Sequence, residues 1–116
     1  MAMLLAPPLS ASSIVQAQEL DLALTQANEL GVLEFCKSKG FIADAAINLK
    51  AKIIDVVGRT DPKAMDAARK KGAYGIHSIT GIDQSIAELS DDYIRVLCQS
   101  KVDLDHAIAT RFGITR

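Results

Sequence analysis

Cys36 and Cys98 are the only thiols in this chain of 116 residues. A thiol can act as a nucleophile, a metal ligand or half of a disulfide. Nucleophilic use needs a histidine close by and a lowered thiol pKa. The chain has two histidines, His77 and His106, and neither neighbours a cysteine in sequence. More than half the chain separates the cysteines, which does not fit a zinc ribbon or a C-x-x-C redox site. Two readings remain: a disulfide, or two buried free thiols in a cytosolic protein. A bridge closing so long a loop would stabilise by about 4 kcal/mol on the chain-entropy account.

Other candidate chemistry is thinner. Asp103, Asp105 and His106 lie close in sequence. On a helix these positions do not all point one way, so we expect a solvated polar face and no metal. Asp91 and Asp92 suit a helix N-terminus without catalysis. Arg69-Lys70-Lys71-Gly72-Ala73-Tyr74-Gly75 sets a G-x-x-G beside basic residues. That pattern superficially matches the backbone clamp of a KH domain, but a solvated helix end followed by a turn explains it. No glycine-rich phosphate-binding motif occurs. The expectation is therefore no catalytic residue, no metal and no cofactor.

The elements that must position these residues follow from composition and periodicity. Hydrophobic content of 49% and charged content of 23% place the chain among globular proteins and outside the disordered class. Aromatic content of 4% with no Trp requires an aliphatic core. A formal net charge of -1 gives no general attraction to nucleic acid or anionic membrane. No run approaches the roughly 20 apolar residues of a spanning helix.

Residues 1–17 stand apart. A short apolar run ends at Pro7-Pro8-Leu9, and Val15-Gln16-Ala17 fits the small-x-small rule of signal cleavage. The first basic residue is Lys37, so the usual positive n-region is missing. We read residues 1–17 as a remnant secretory signal or else a disordered N-terminus, and 18–116 as one helical domain.

Gln18 to Lys39 carries Leu20, Ala23, Leu24, Ala27 and Leu30 at three-four spacing, widened by Leu33 and Cys36. Gly31 in its middle is tolerable if another helix crosses closely, and Gly40 is placed as its left-handed cap. Ala45 to Val57 follows, with Asp44 as cap. Ile47, Lys50, Ile54 and Val57 share one stripe, which predicts the most buried helix. Thr60-Asp61-Pro62 signals a third start. That helix runs to about Lys71, before Gly72. Residues 72–81 read as irregular or a short helix, and Asp83 as the cap of a short helix to Leu89. Ser90-Asp91-Asp92 opens a last helix lined by Ile94, Leu97, Cys98, Lys101 and Val102. Leu104, Ala107, Ile108 and Phe112 continue it to Gly113. No stretch alternates like a strand.

Gly31-Val32-Leu33-Glu34-Phe35-Cys36, then Ala45-Ala46-Ile47-Asn48-Leu49-Lys50 and Val57-Gly58, resembles the core of the YjjA-type family of small exported bacterial proteins. Tyr74-Gly75-Ile76 and Cys98 fall where that family has a glycine-containing segment and a second cysteine. The chain departs from the family in continuing from Gln99 to Arg116 beyond that cysteine. The resemblance implies an exported protein with paired cysteines and supplies no catalytic residue.

The expected fold is thus all-α: four or five short helices stapled by Cys36 and Cys98. The expected role is that of a periplasmic or secreted, non-enzymatic interaction protein whose partner is another protein. The alternative is an inhibitor or immunity protein that neutralises a secreted toxin enzyme. In that case Tyr74 or His77, in the glycine-rich segment, would meet the partner.

Overall fold

The computed structural model describes residues 11–79 and 81–115, with side chains described from Leu22 onward. Four helices and one hairpin follow in order: α1 (Ala11–Ser38), α2 (Asp44–Val57), α3 (Pro62–Ala73), β1 (Ile76–Ile79), β2 (Ile82–Ser85) and α4 (Asp91–Phe112). The predicted helical architecture is present, and so is the staple. The expected cleavage point, between Ala17 and Gln18, falls inside α1; residues 1–10 lie outside the described residues.

Helix ends obey local chemistry. α1 stops at Gly40 (φ 79°) in a Schellman arrangement: the Phe41 amide donates to the Cys36 carbonyl at 3.0 Å and the Gly40 amide to that of Lys37 at 2.8 Å. Asp61 caps α3 by accepting from the Ala64 amide at 3.1 Å, with Pro62 in the first turn. Ser90 caps α4 through the Tyr93 amide, and Gly113 closes it with left-handed φ 66°.

α1 is the hub. Ala23, Ala27, Val32, Leu33 and Cys36 on it are all buried, and it touches every other helix as well as β1. The expectation that α2 would be the most buried helix is therefore corrected: Ala45, Asn48, Lys52, Asp55 and Val56 of α2 face solvent. α3 crosses α1 at a point where two glycines meet. A Cβ on Gly31 would lie 1.8 Å from the Arg69 carbonyl oxygen, and one on Gly72 would lie 2.2 Å from that of Asn28. Gly72 thus sits within α3 as a contact surface, not after it as a stop. Arg69 and Glu34 fasten the same crossing by a two-pronged pair at 2.8 Å.

Asn28 fixes the next element. Its buried amide nitrogen donates to the carbonyls of Ala68 (3.1 Å) and Ile76 (3.0 Å), and its oxygen accepts from the Ser78 amide (2.9 Å). One α1 side chain therefore ties α3 and β1 together. Here the structure departs from the expectation of an irregular segment or short helix over residues 72–81 and a short helix from Asp83 to Leu89. β1 and β2 pair antiparallel, with Ile76 opposite Ser85 and Ile79 opposite Ile82. Gly81 (φ 81°) lies in the two-residue connection. β2 is exposed throughout, so no apolar alternation marks it. Asp83 is a strand residue rather than a helix cap; it accepts from Ser78 Oγ at 2.6 Å and Lys71 Nζ at 2.9 Å. Asp44, likewise, is inside the first turn of α2, and Ala43 is the cap position without a side-chain bond.

Cys36 and Cys98 form a disulfide with Cα atoms 5.8 Å apart. It joins α1 to α4 inside a cluster with Val32, Ile86 and Ile94. Below it, Leu49 and Ile53 of α2 pack on Ala109 of α4.

The glycine crossing makes a direct prediction. In urea unfolding, Gly31→Ala should cost about 3 kcal/mol or more, because backbone must move to admit the methyl group. Gly81→Ala has open space around it and should cost only about 1 kcal/mol through its positive φ. Equal costs would contradict the close crossing.

Candidate functional site

Lys50 is the least expected residue in the core. It lies on the inner stripe of α2, and its side chain is 1% exposed. Three hydrogen-bond or ion-pair partners converge on its ammonium group. Gln26 Oε1 and Glu29 Oε1 of α1 accept from Nζ at 2.7 and 3.1 Å. Asp105 Oδ1 of α4 lies 2.8 Å away, and the Asp105 side chain is 3% exposed. That contact is ionic rather than directional: neither Asp105 oxygen receives a well-aligned hydrogen bond. Lys101 Nζ stands 3.6 Å from Glu29 Oε2, which makes a cluster of two cations and two carboxylates. Burial is the main cause that raises the Asp105 carboxyl above its ordinary range, with Lys50 pulling the other way.

The sequence placed Asp105 on a solvated face beside Asp103 and His106. That placement is corrected. Asp103 is exposed and accepts from Gln99 Nε2 at 2.9 Å, Asp105 points to Lys50, and His106 lines a cleft between α2 and α4. Asp105 continues the inner stripe of Ile94, Cys98 and Lys101 towards Ala109, and that register was the available signal. Lys50 carried a similar one, because it shares an apolar stripe with Ile54.

The two residues proposed to meet a partner part company in the structure. Tyr74, at the C-terminus of α3, is 79% exposed. His77, in β1, is only 6% exposed and feels the charges of Lys101 and Glu29. Burial, then Lys101, lower its pKa, and Glu29 opposes them. His77 is part of the interior and presents no side chain to a partner. Both cysteines are taken up in the disulfide, so neither is a free nucleophile.

A cleft of about 820 Å³ opens between α2 and α4. The helices run side by side in the same direction: Ile42 packs on the cluster that holds Ile94 and Cys98, and Val57 on the cluster that holds Ala109. Phe41, Ile42, Leu49 and Val102 supply the larger apolar walls. Small alanines, Ala45, Ala46 and Ala51, leave the space open. Arg95 lies over the Phe41 ring at 4.6 Å and holds it in place. The polar lining is Asn48, Lys52, Gln99 and His106, with no carboxylate among the lining residues. Sequence reasoning missed this site, because its walls are the edges of two amphipathic stripes rather than a motif.

Comparison with family models, curated proteins and solved structures finds no match to this chain.

The two buried titrating groups act with opposite sign. His77 is lowered, so the folded state binds fewer protons than the unfolded chain, and stability is lost as pH falls past the ordinary histidine range. Asp105 is raised, so the folded state binds its proton more readily, and stability is regained as pH falls towards the ordinary carboxylate range. Urea unfolding from about pH 7.5 to about pH 4.5 reads both effects. Relative to the unaltered protein, His77→Gln should flatten the loss on acidification and Asp105→Asn should steepen it. Unchanged slopes in both variants would contradict the assignment.

Proposed function

We propose that this chain is an exported, non-enzymatic binding protein whose site is the α2–α4 cleft. The observation that carries the reading is that open, apolar-walled cleft on a body stapled by a buried disulfide. Its volume lies within the roughly 300–1,000 Å³ of ordinary ligand sites. Disulfides persist in oxidising compartments, which supports a periplasmic or secreted location. The Val15-Gln16-Ala17 pattern and the resemblance to the YjjA-type family support the same location. Among the described residues, no helix is long and apolar enough to cross a membrane. Binding rather than catalysis is favoured because the cleft lining pairs His106 with no carboxylate or thiol.

The inhibitor reading draws on one observation, the exposed Tyr74. It has less support, because His77 is buried and cannot join Tyr74 at a partner's active site.

The reading is tested in cells that express the full chain. After fractionation, the periplasmic or secreted protein should resist thiol alkylation before reduction and take two adducts after it. Two free thiols in a cytosolic fraction would overturn export.

A further inference from the structure

We propose that the α2–α4 cleft binds an anionic amphiphile: an aliphatic carboxylate whose tail lies over Phe41, Ile42, Leu49 and Val102 and whose head meets His106 and Lys52. The inference rests on the cleft being a ligand site and adds the chemical class of the ligand.

Three observations lead to it. The first is charge. Lys52 is the only fully charged residue in the lining, and no acidic residue opposes it. Of the carboxylates outside the lining, Asp44 is engaged by Lys37, Asp55 by Arg59 and Asp105 by Lys50, while the exposed Asp103 accepts from the lining residue Gln99. That lining offers an anion a charged donor and offers a cation no carboxylate.

The second is His106. Its Nδ1 is sealed from solvent and has no hydrogen-bond partner among the described residues. A buried N–H without an acceptor is costly, which places the ring's N–H at Nε2. Nε2 is not sealed, and the half-buried ring lines the cleft. His106 therefore offers a hydrogen-bond donor to the cleft, which suits a carboxylate oxygen.

The third is the order of the lining along the two parallel helices. Phe41 and Ile42 precede α2 and lie at the disulfide end. Lys52 and His106 come later on their helices, towards the end where Lys52 Nζ donates to the Thr115 carbonyl at 3.0 Å. Lys52 and His106 thus lie towards one end and the large apolar side chains of Phe41 and Ile42 at the other, with the amides of Asn48 and Gln99 also in the lining. A charged donor opposite an apolar end suits an amphiphile. Lys52 gives up a neutral backbone acceptor when it turns to a carboxylate, and a charge-assisted bond is the stronger of the two.

The test is titration of the oxidised, isotope-labelled protein with decanoate, decanol and decyltrimethylammonium, each below its micelle concentration, followed by amide shifts. Decanoate should shift residues 45–52 and 99–106 and bind roughly tenfold or more tighter than the other two. His106→Phe and Lys52→Gln should each weaken decanoate several-fold and leave decanol unchanged. Both are read beside a circular dichroism spectrum, so a variant that fails to fold is recognised and the other decides. Equal binding of all three in the cleft would overturn the anionic class and leave the cleft as a binding site. Absence of cleft shifts with every probe would overturn both.

Discussion

A single ammonium group shut away from the surface sets the terms for this fold. Leaving the Lys50 charge bare in an apolar interior would cost far more than the whole stability of a small domain. The chain meets that demand with oxygens from two other helices: Gln26 and Glu29 of α1 and Asp105 of α4. Three helices must therefore converge on one point at fixed distances. Exposed pairs such as Arg59–Asp55 and Lys70–Asp66 make no such demand, and each is worth about 1 kcal/mol or less. Net stabilisation by a buried ion cluster is not guaranteed, because desolvation offsets attraction. What the cluster does impose is position. The registers of α2 and α4 relative to α1 are those that bring Lys50 and Asp105 within 2.8 Å.

Other constraints act around that point. The disulfide holds α1 to α4 on the side where Phe41 and Ile42 enter α2. The Gly31–Gly72 crossing and the Asn28 amide hold α3 and the hairpin on α1. Apolar packing of Leu49 and Ile53 on Ala109 closes the floor between α2 and α4. The cleft lies along the outer edge of that floor. Its walls belong to helices whose spacing is fixed from within, so the proposed ligand would meet a preformed site and lose little ordering entropy on binding. Leu49 belongs to both floor and wall: it packs on Ala109 to pin α2 to α4, and it lines the cleft.

Much of the fold was legible because helix chemistry is local. Asp61-Pro62, Ser90-Asp91-Asp92, Gly40 and Gly113 mark ends whatever the rest of the chain does, and each is where the sequence put it. Gly31 also read correctly as a close crossing, since a mid-helix glycine needs a packing reason. The hairpin was not legible. Its strands are four residues each, β2 is wholly exposed, and its docking depends on Asn28, distant in sequence. The buried charge cluster was even less so. Lys50 on an apolar stripe and Asp105 on the inner side of α4 are each ambiguous alone and become meaningful only when tertiary packing brings them together. His106 looked like part of a polar cluster with Asp103 and Asp105, yet helical geometry sends the three side chains to three different surroundings.

The dependence of the fold on the Lys50 ammonium is tested most directly by a pair of variants in urea unfolding at neutral pH. Lys50→Met leaves Asp105 and Glu29 without their shared cation. It should cost about 3–5 kcal/mol. Lys50→Met combined with Asp105→Leu removes the stranded carboxylate and should recover most of that loss. A single variant as stable as the unaltered protein, or a double variant no better than the single, would contradict the claim that this buried charge fixes the arrangement of the helices.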